Sequence, residues 1–166
     1  ELSVAEDIFI IDNSFFGRMF PVKHAPPESD LEEFYALIGS KYISKEVVKN
    51  FDVVGTTKSK TDLTKALMER IQERRPLLVS PSITSRPLVS HASIILDDKH
   101  LDIYQASEIK AVYSLGKSVR SQQTTCCSQR GQSKKQHCLF VTSDFDWFDV
   151  GYAIGELILE RCQLED

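Results

Sequence analysis

The sequence lacks most of the patterns that announce chemistry. HExxH, GxSxG, CxxC and GxGxxG are all absent, so zincin, nucleophile-elbow, dithiol and dinucleotide-fold signatures are excluded. There is no stretch of about eighteen uninterrupted apolar residues, and hence no candidate membrane-spanning helix. Neither Asn13 nor Asn50 begins an N-x-[ST] glycosylation site. Charge of one sign is not in excess: 20 Lys+Arg stand against 24 Asp+Glu, a net of -4, which is no general footprint for a polyanion. Only four cysteines occur, in a chain too rich in apolar residues to need disulfide staples. What is present is ordinary: 166 residues with 42% hydrophobic and 27% charged side chains, enough for a normal core. The chain opens on Glu1 without a basic or apolar leader, and is expected to be a piece of a longer, intracellular, reduced protein.

The pattern predicts a single α+β domain or domain fragment over 1–166, with a sub-boundary near 56–60 and an irregular N-terminal segment. Ile8 to Ile11 reads as a short buried strand stopped by a turn at Asp12–Asn13. An aromatic-rich stretch, Phe15 to Phe20, is halted by Pro21. Ser29 or Asp30 should cap a helix whose inner stripe is Leu31, Phe34, Leu37 and Ile38, ended by Gly39. Val47 to Val54 fits either a strand or a short helix. A second helix begins near Ser59–Asp62, repeats Leu63, Ala66, Leu67 and Ile71 on one face, and stops at Pro76; an extended connector follows to Pro87.

The last third reads as strands at 101–105, 109–113, 119–127 and 138–142, with a flexible hairpin tip at 128–136. A final helix starts at Ser143 or Asp144, with Asp146 completing a capping box. Its inner stripe is Phe148, Gly151, Ile154, Gly155, Ile158 and Cys162. Gly151 and Gly155 match the GxxxG spacing, which here reads as close approach of the helix to the sheet. The expected architecture is two layers, a mainly antiparallel sheet from the C-terminal half covered by helices.

Each chemical candidate meets a simpler reading. Ala111 to Ser118 falls one residue short of a phosphate-binding P-loop, with Gly116, Lys117 and Ser118 as the candidate nucleotide contacts. A P-loop needs a helix after it, whereas Val119 to Thr125 are strand formers, so a hairpin turn is expected. Cys126, Cys127, His137 and Cys138 suggest zinc, but neighbours in a strand point to opposite faces; one of each pair is expected inside and the other in solvent. Asp144, Asp146 and Asp149 suggest a divalent cation, yet capping a helix N-terminus accounts for them. Ser90–His91 and His137–Cys138 are neighbours in sequence, whereas triads meet through the fold, and Asp97–Asp98 before Lys99–His100 reads as a turn. Arg130, Lys134 and Lys135 at the tip are the one place a nucleic acid could touch.

Five segments carry a family resemblance: Ile10 to Pro21 (IIDNSFFGRMFP), Asp30 to Tyr35 (DLEEFY) with Gly39 to Ser44 (GSKYIS), Glu69 to Leu78 (ERIQERRPLL), and Ser143 to Val150 (SDFDWFDV). They resemble large eukaryotic multidomain proteins of poorly defined function, sacsin-like and No-Vein-like, most of all a fungal branch. Members carry an ATPase domain of the gyrase, heat-shock chaperone, histidine-kinase and MutL type. The resemblance implies a segment downstream of that domain in a chaperone-like polypeptide. The ATPase holds nucleotide through an acidic residue and Asn on a helix and an Asp-x-Gly-x-Gly turn. Neither is present here, so no ATP-site residue carries over. The expectation is a non-catalytic structural or coupling module with no catalytic residue, metal or cofactor. Asp12, Asn13, Ser143, Asp144, Asp146, Gly151 and Gly155 would serve structure. Its partners would be other domains of the same polypeptide or further proteins, with no membrane and no nucleic acid. The alternatives are a nucleotide-binding enzyme using 111–118 and a nucleic-acid-binding module using 128–136.

Overall fold

Helices and strands are mixed along the chain in an α+β architecture. The computed structural model describes residues 7–57, 61–78, 96, 100–131 and 136–162. Two compact units are present: Glu1–Asn50 with Ala111–Gln122, and Phe51–Lys110 with Gln123–Asp166. Of the expected sub-boundary near 56–60, residues 58–60 lie outside the described residues, as do most of the 76–87 connector, Ser90–His91 and Asp97–Asp98.

In the first unit, β1 (Phe9–Ile10) pairs in parallel with β2 (Lys41–Tyr42). Its other side is met by residues 23–25, through Phe9 N to Lys23 O and Ala25 N to Phe9 O, each 2.9 Å. Between the strands run α1 (Ser14–Met19) and α2 (Ser29–Leu37). The turn expected at Asp12–Asn13 is a helix start: Asn13 is extended, and its side chain accepts the amides of Phe15 (3.0 Å) and Phe16 (3.2 Å). The aromatic stretch is therefore helical up to the extended residue Phe20 before Pro21. Asp12 accepts the Ser44 amide at 3.0 Å and also the Ser44 hydroxyl, fixing the one-turn helix α3 (Ile43–Glu46).

Two expectations for α2 are corrected. Glu28 occupies the N-cap without a side-chain bond, so Ser29 and Asp30 lie inside the first turn. The expected inner stripe is not inside: Leu31, Phe34, Leu37 and Ile38 are all exposed. Its end behaves as expected. Gly39 has φ 103°, Ser40 N donates to Tyr35 O (2.9 Å), and Gly39 N donates to Ala36 O (3.2 Å), a Schellman stop. Among the described residues, the buried hydrophobic side chains of this unit are Ile10, Phe20, Ala25 and Ile43, with Ala111 and Tyr113. Phe15 and Phe16 set their rings 5.6 and 5.8 Å from that of Tyr113.

The ambiguous segment is β3 (Val48–Val54), whose side chains alternate in burial with period two. β3, β5 (Glu108–Leu115) and β6 (Ser118–Gln123) form a three-stranded sheet in the order β3-β5-β6.

In the second unit the order is β4-β8-β7, from β4 (Leu101–Gln105), β7 (Cys126–Arg130) and β8 (His137–Val141). β7 and β8 are antiparallel, while β4 and β8 run parallel, because the chain leaves after β4 and returns to it only through β8. The expected single strand over 119–127 is broken at Thr124–Thr125, where the Thr125 amide and hydroxyl bond to Asp149 of the final helix, while Thr124 N still donates to Ile109 O (3.1 Å) and Thr125 O accepts Thr142 N (2.9 Å). β7 also runs through Ser128, Gln129 and Arg130, which pair with β8, so the tip expected at 128–136 begins only after Arg130. Residues 132–135, with Lys134 and Lys135, lie outside the described residues.

α4 (Asp62–Leu78) and α5 (Trp147–Cys162) cover this sheet. Leu67, Ile71, Leu101, Cys126, Leu139, Val141, Val150, Ala153, Ile154 and Leu157 make one buried cluster, the second layer of the fold. Thr61 begins α4 by accepting the Thr64 amide at 3.3 Å. Pro76 lies inside α4 and does not end it. Its fixed φ suits a helix, and what it removes is a single donor, to the carbonyl four residues back. Among the described residues no helix is long and apolar enough to cross a membrane.

Candidate functional site

In the first unit, Ile10, Ile11, Gly17, Val22, Ala25 and the Pro26–Pro27 pair shape an apolar groove of about 340 Å³, edged by Ser14, Arg18, His24 and Glu32. The local sequence explains the wall. A Cβ on Gly17 would come 2.7 Å from Ile11 Cγ2, so α1 can lie against Ile11 only because residue 17 is glycine. Arg18 Nε donates to Ser14 O at 3.3 Å. His24 Nδ1 lies 3.4 Å from Val22 O. An apolar floor with a few convergent polar groups is the usual form of a small-molecule or side-chain acceptor. Sequence reasoning missed this groove; the one available signal was a glycine among three aromatic residues in FFGRMF and the preceding Ile-Ile.

The second unit holds a smaller, polar cavity of about 230 Å³ lined by Ser107, Glu108, Gln123, Thr124, Thr125, Thr142, Asp144 and Asp149. Asp149 Oδ2 accepts the Thr125 amide (3.1 Å), the Thr125 hydroxyl (2.6 Å) and the Thr124 hydroxyl (3.4 Å). The Thr125 hydroxyl in turn accepts the Asp146 amide at 3.0 Å. Asp146 Oδ1 accepts the Phe148 amide at 2.9 Å, so Asp146 itself caps α5, and Ser143 and Asp144 precede the helix. Two of the three expected carboxylates are thus committed to the backbone at the start of α5, and Asp144 borders the cavity. Hydrogen bonds from Lys110 (3.0 Å) and Gln123 (3.2 Å) hold the Glu108 carboxyl below its ordinary range.

Gly116, Lys117 and Ser118 do not form a phosphate cradle. Gly116 has φ 56° and, with Lys117, makes the two-residue turn between β5 and β6. The segment after it is an exposed strand, where a P-loop has a helix. Leu115, Gly116, Ser118 and Arg120 do border a cavity of about 320 Å³ with Phe9, Phe20 and Glu46.

Cys126 and Cys127 point to opposite faces, yet both are buried, which corrects the expectation that one would meet solvent. Cys126 belongs to the cluster beneath α5, and Cys127 packs with Ala106, Ile109 and Phe140 on the other face. His137 is buried and Cys138 half-buried. Burial first, then Asp102, pushes the Cys138 thiol up, against a hydrogen bond with Tyr104. The side chain of Cys162 lies outside those described. Among the described residues no group of three or more His, Cys, Asp or Glu side chains is placed to hold a metal ion.

The glycine pair of α5 is likewise not where the spacing placed it. A Cβ on Gly151 or Gly155 would meet nothing within 4 Å, so neither lets the helix approach the sheet. The face turned inward is Val150, Ala153, Ile154 and Leu157, while Phe148 is 80% exposed.

A family described as a protein of unknown function (DUF3684) matches residues 1–79, a span that contains the whole apolar groove. No curated protein and no solved structure matches the chain.

Proposed function

We propose that this chain is a non-catalytic structural and coupling module of a large intracellular, ATPase-containing, chaperone-like polypeptide, docked against other domains of that polypeptide. The observation that carries this reading is α5. Its inner face is buried, and its opposite face repeats Phe148, Tyr152 (61% exposed) and Leu159 (56% exposed), with Gly151 and Gly155 between them. An exposed apolar stripe opposite a buried face normally marks a surface that another element covers, and small residues in the stripe let a second helix come close. The polar groups at the start of α5 serve its cap, which fits a module whose side chains shape backbone and do not turn over a substrate. The resemblance of its segments to ATPase-containing multidomain proteins supplies the kind of parent.

Hydrogen exchange on the 166-residue chain and on the full-length polypeptide tests docking. Slower exchange along α5 in the longer protein is expected, and equal rates would overturn it. A titration with labelled ATP and Mg²⁺ tests the non-catalytic part: saturable binding that Lys117→Ala abolishes would replace this reading with that of a nucleotide-binding enzyme.

A further inference from the structure

We infer that α2 is a recognition helix for an amphipathic helix whose apolar seam is flanked by Lys and Arg. A nine-residue helix has little stability of its own in water and normally depends on burying one face. α2 buries none of its residues, and its large apolar side chains face outward: Leu31 39%, Phe34 53%, Leu37 86% and, at its C-cap, Ile38 46% exposed. Its C-terminus is nevertheless closed by the Gly39 stop, so the helix is shaped and presented without being covered.

Charge selects the occupant. From Ala25 to Ser40 the chain carries Glu28, Asp30, Glu32 and Glu33 and no Lys or Arg. Among the described residues none of these four acids makes an ion pair, and the Lys41 ammonium that follows is held by Glu46 at 3.4 Å. An acidic rim around an apolar stripe attracts a basic-flanked apolar helix and repels anionic lipid and nucleic acid. This inference rests on the docking reading above and adds the chemistry of a partner.

The test titrates the 166-residue chain with a fluorescent eighteen-residue helix that has a Leu seam and Lys flanks. Saturable binding is expected, weakened at least tenfold by Phe34→Ser with Leu37→Ser. In a second variant, Glu28→Gln with Asp30→Asn and Glu33→Gln, the salt dependence should largely disappear. Equal affinity of the wild type and the Phe34/Leu37 variant would overturn the assignment. So would equal affinity for the same seam flanked by Glu, tighter binding to anionic vesicles, or self-association that the peptide does not displace. Any of these results leaves the α5 exchange and ATP experiments to decide the docking reading separately.

Discussion

Asp149 and Thr125 lock the N-terminal turn of α5 to the point where the chain passes from β6 to β7. One carboxylate oxygen accepts both the Thr125 amide at 3.1 Å and its hydroxyl at 2.6 Å. The break in the strand and the position of the helix are therefore the same event.

Removing the carboxylate by Asp149→Ala leaves two partly buried donors without their acceptor. The expected loss is about 1–3 kcal/mol of stability, seen as a lower urea midpoint at unchanged slope. Trp147, the only tryptophan, lies under the Arg74 guanidinium at 4.9 Å and reports the transition at this end of α5. An unchanged midpoint would show that the lock contributes nothing.

Glycine substitutions should separate sharply by position. Gly55 has φ 66°, and an added Cβ would overlap the Ser107 hydroxyl, which donates to Val54 O at 2.9 Å. Gly55→Ala is expected to cost more than about 2 kcal/mol, from the left-handed backbone and the displaced hydrogen bond together. Gly151→Ala and Gly155→Ala meet open space inside a helix and should stabilise by roughly 0.5–1 kcal/mol. Thermal melts of the three variants decide it, and a destabilised Gly155→Ala would restore the close-approach reading.

Stability should fall in alkali through Cys126. Burial, with Cys127 and Asp149 adding to it, pushes this thiol well above its ordinary value. Below the unfolded thiol value of about 8.5 both states hold the proton and the group has no effect. Above it the unfolded chain releases the proton while the folded chain keeps it, so stability drops by up to about 1.4 kcal/mol per pH unit from this group. Urea midpoints between pH 8 and 10.5 should decline less steeply in Cys126→Ala than in the wild type; parallel slopes would exclude the thiol as the cause.

Local rules recovered much of the fold because they act over a few residues. Gly39, Gly116 and the strands at 101–105 and 138–142 fell where turn chemistry and alternation put them. Misreadings arose where a residue's partner is far away in the chain. Asp12 looked like part of a turn because Ser44, whose amide and hydroxyl donate to it, lies thirty-two residues on. One of Cys126 and Cys127 was expected in solvent because nothing local announces that Ala106 and Ile109 cover the Cys127 face. In α5 the periodicity allowed two apolar stripes, and choosing the inner one required knowing what lies beneath Val150 and Leu157.

Composition, breakers and period determined that this chain is α+β, where most helices and strands lie, and that no familiar catalytic signature is written in it. Those properties depend on backbone preference and side-chain spacing, which a linear sequence carries in full. Which face of α5 is buried, that α2 buries none, and that Ile11, Gly17 and Arg18 enclose a groove were decided only by tertiary packing. Burial is a relation between distant segments, and no single segment encodes it.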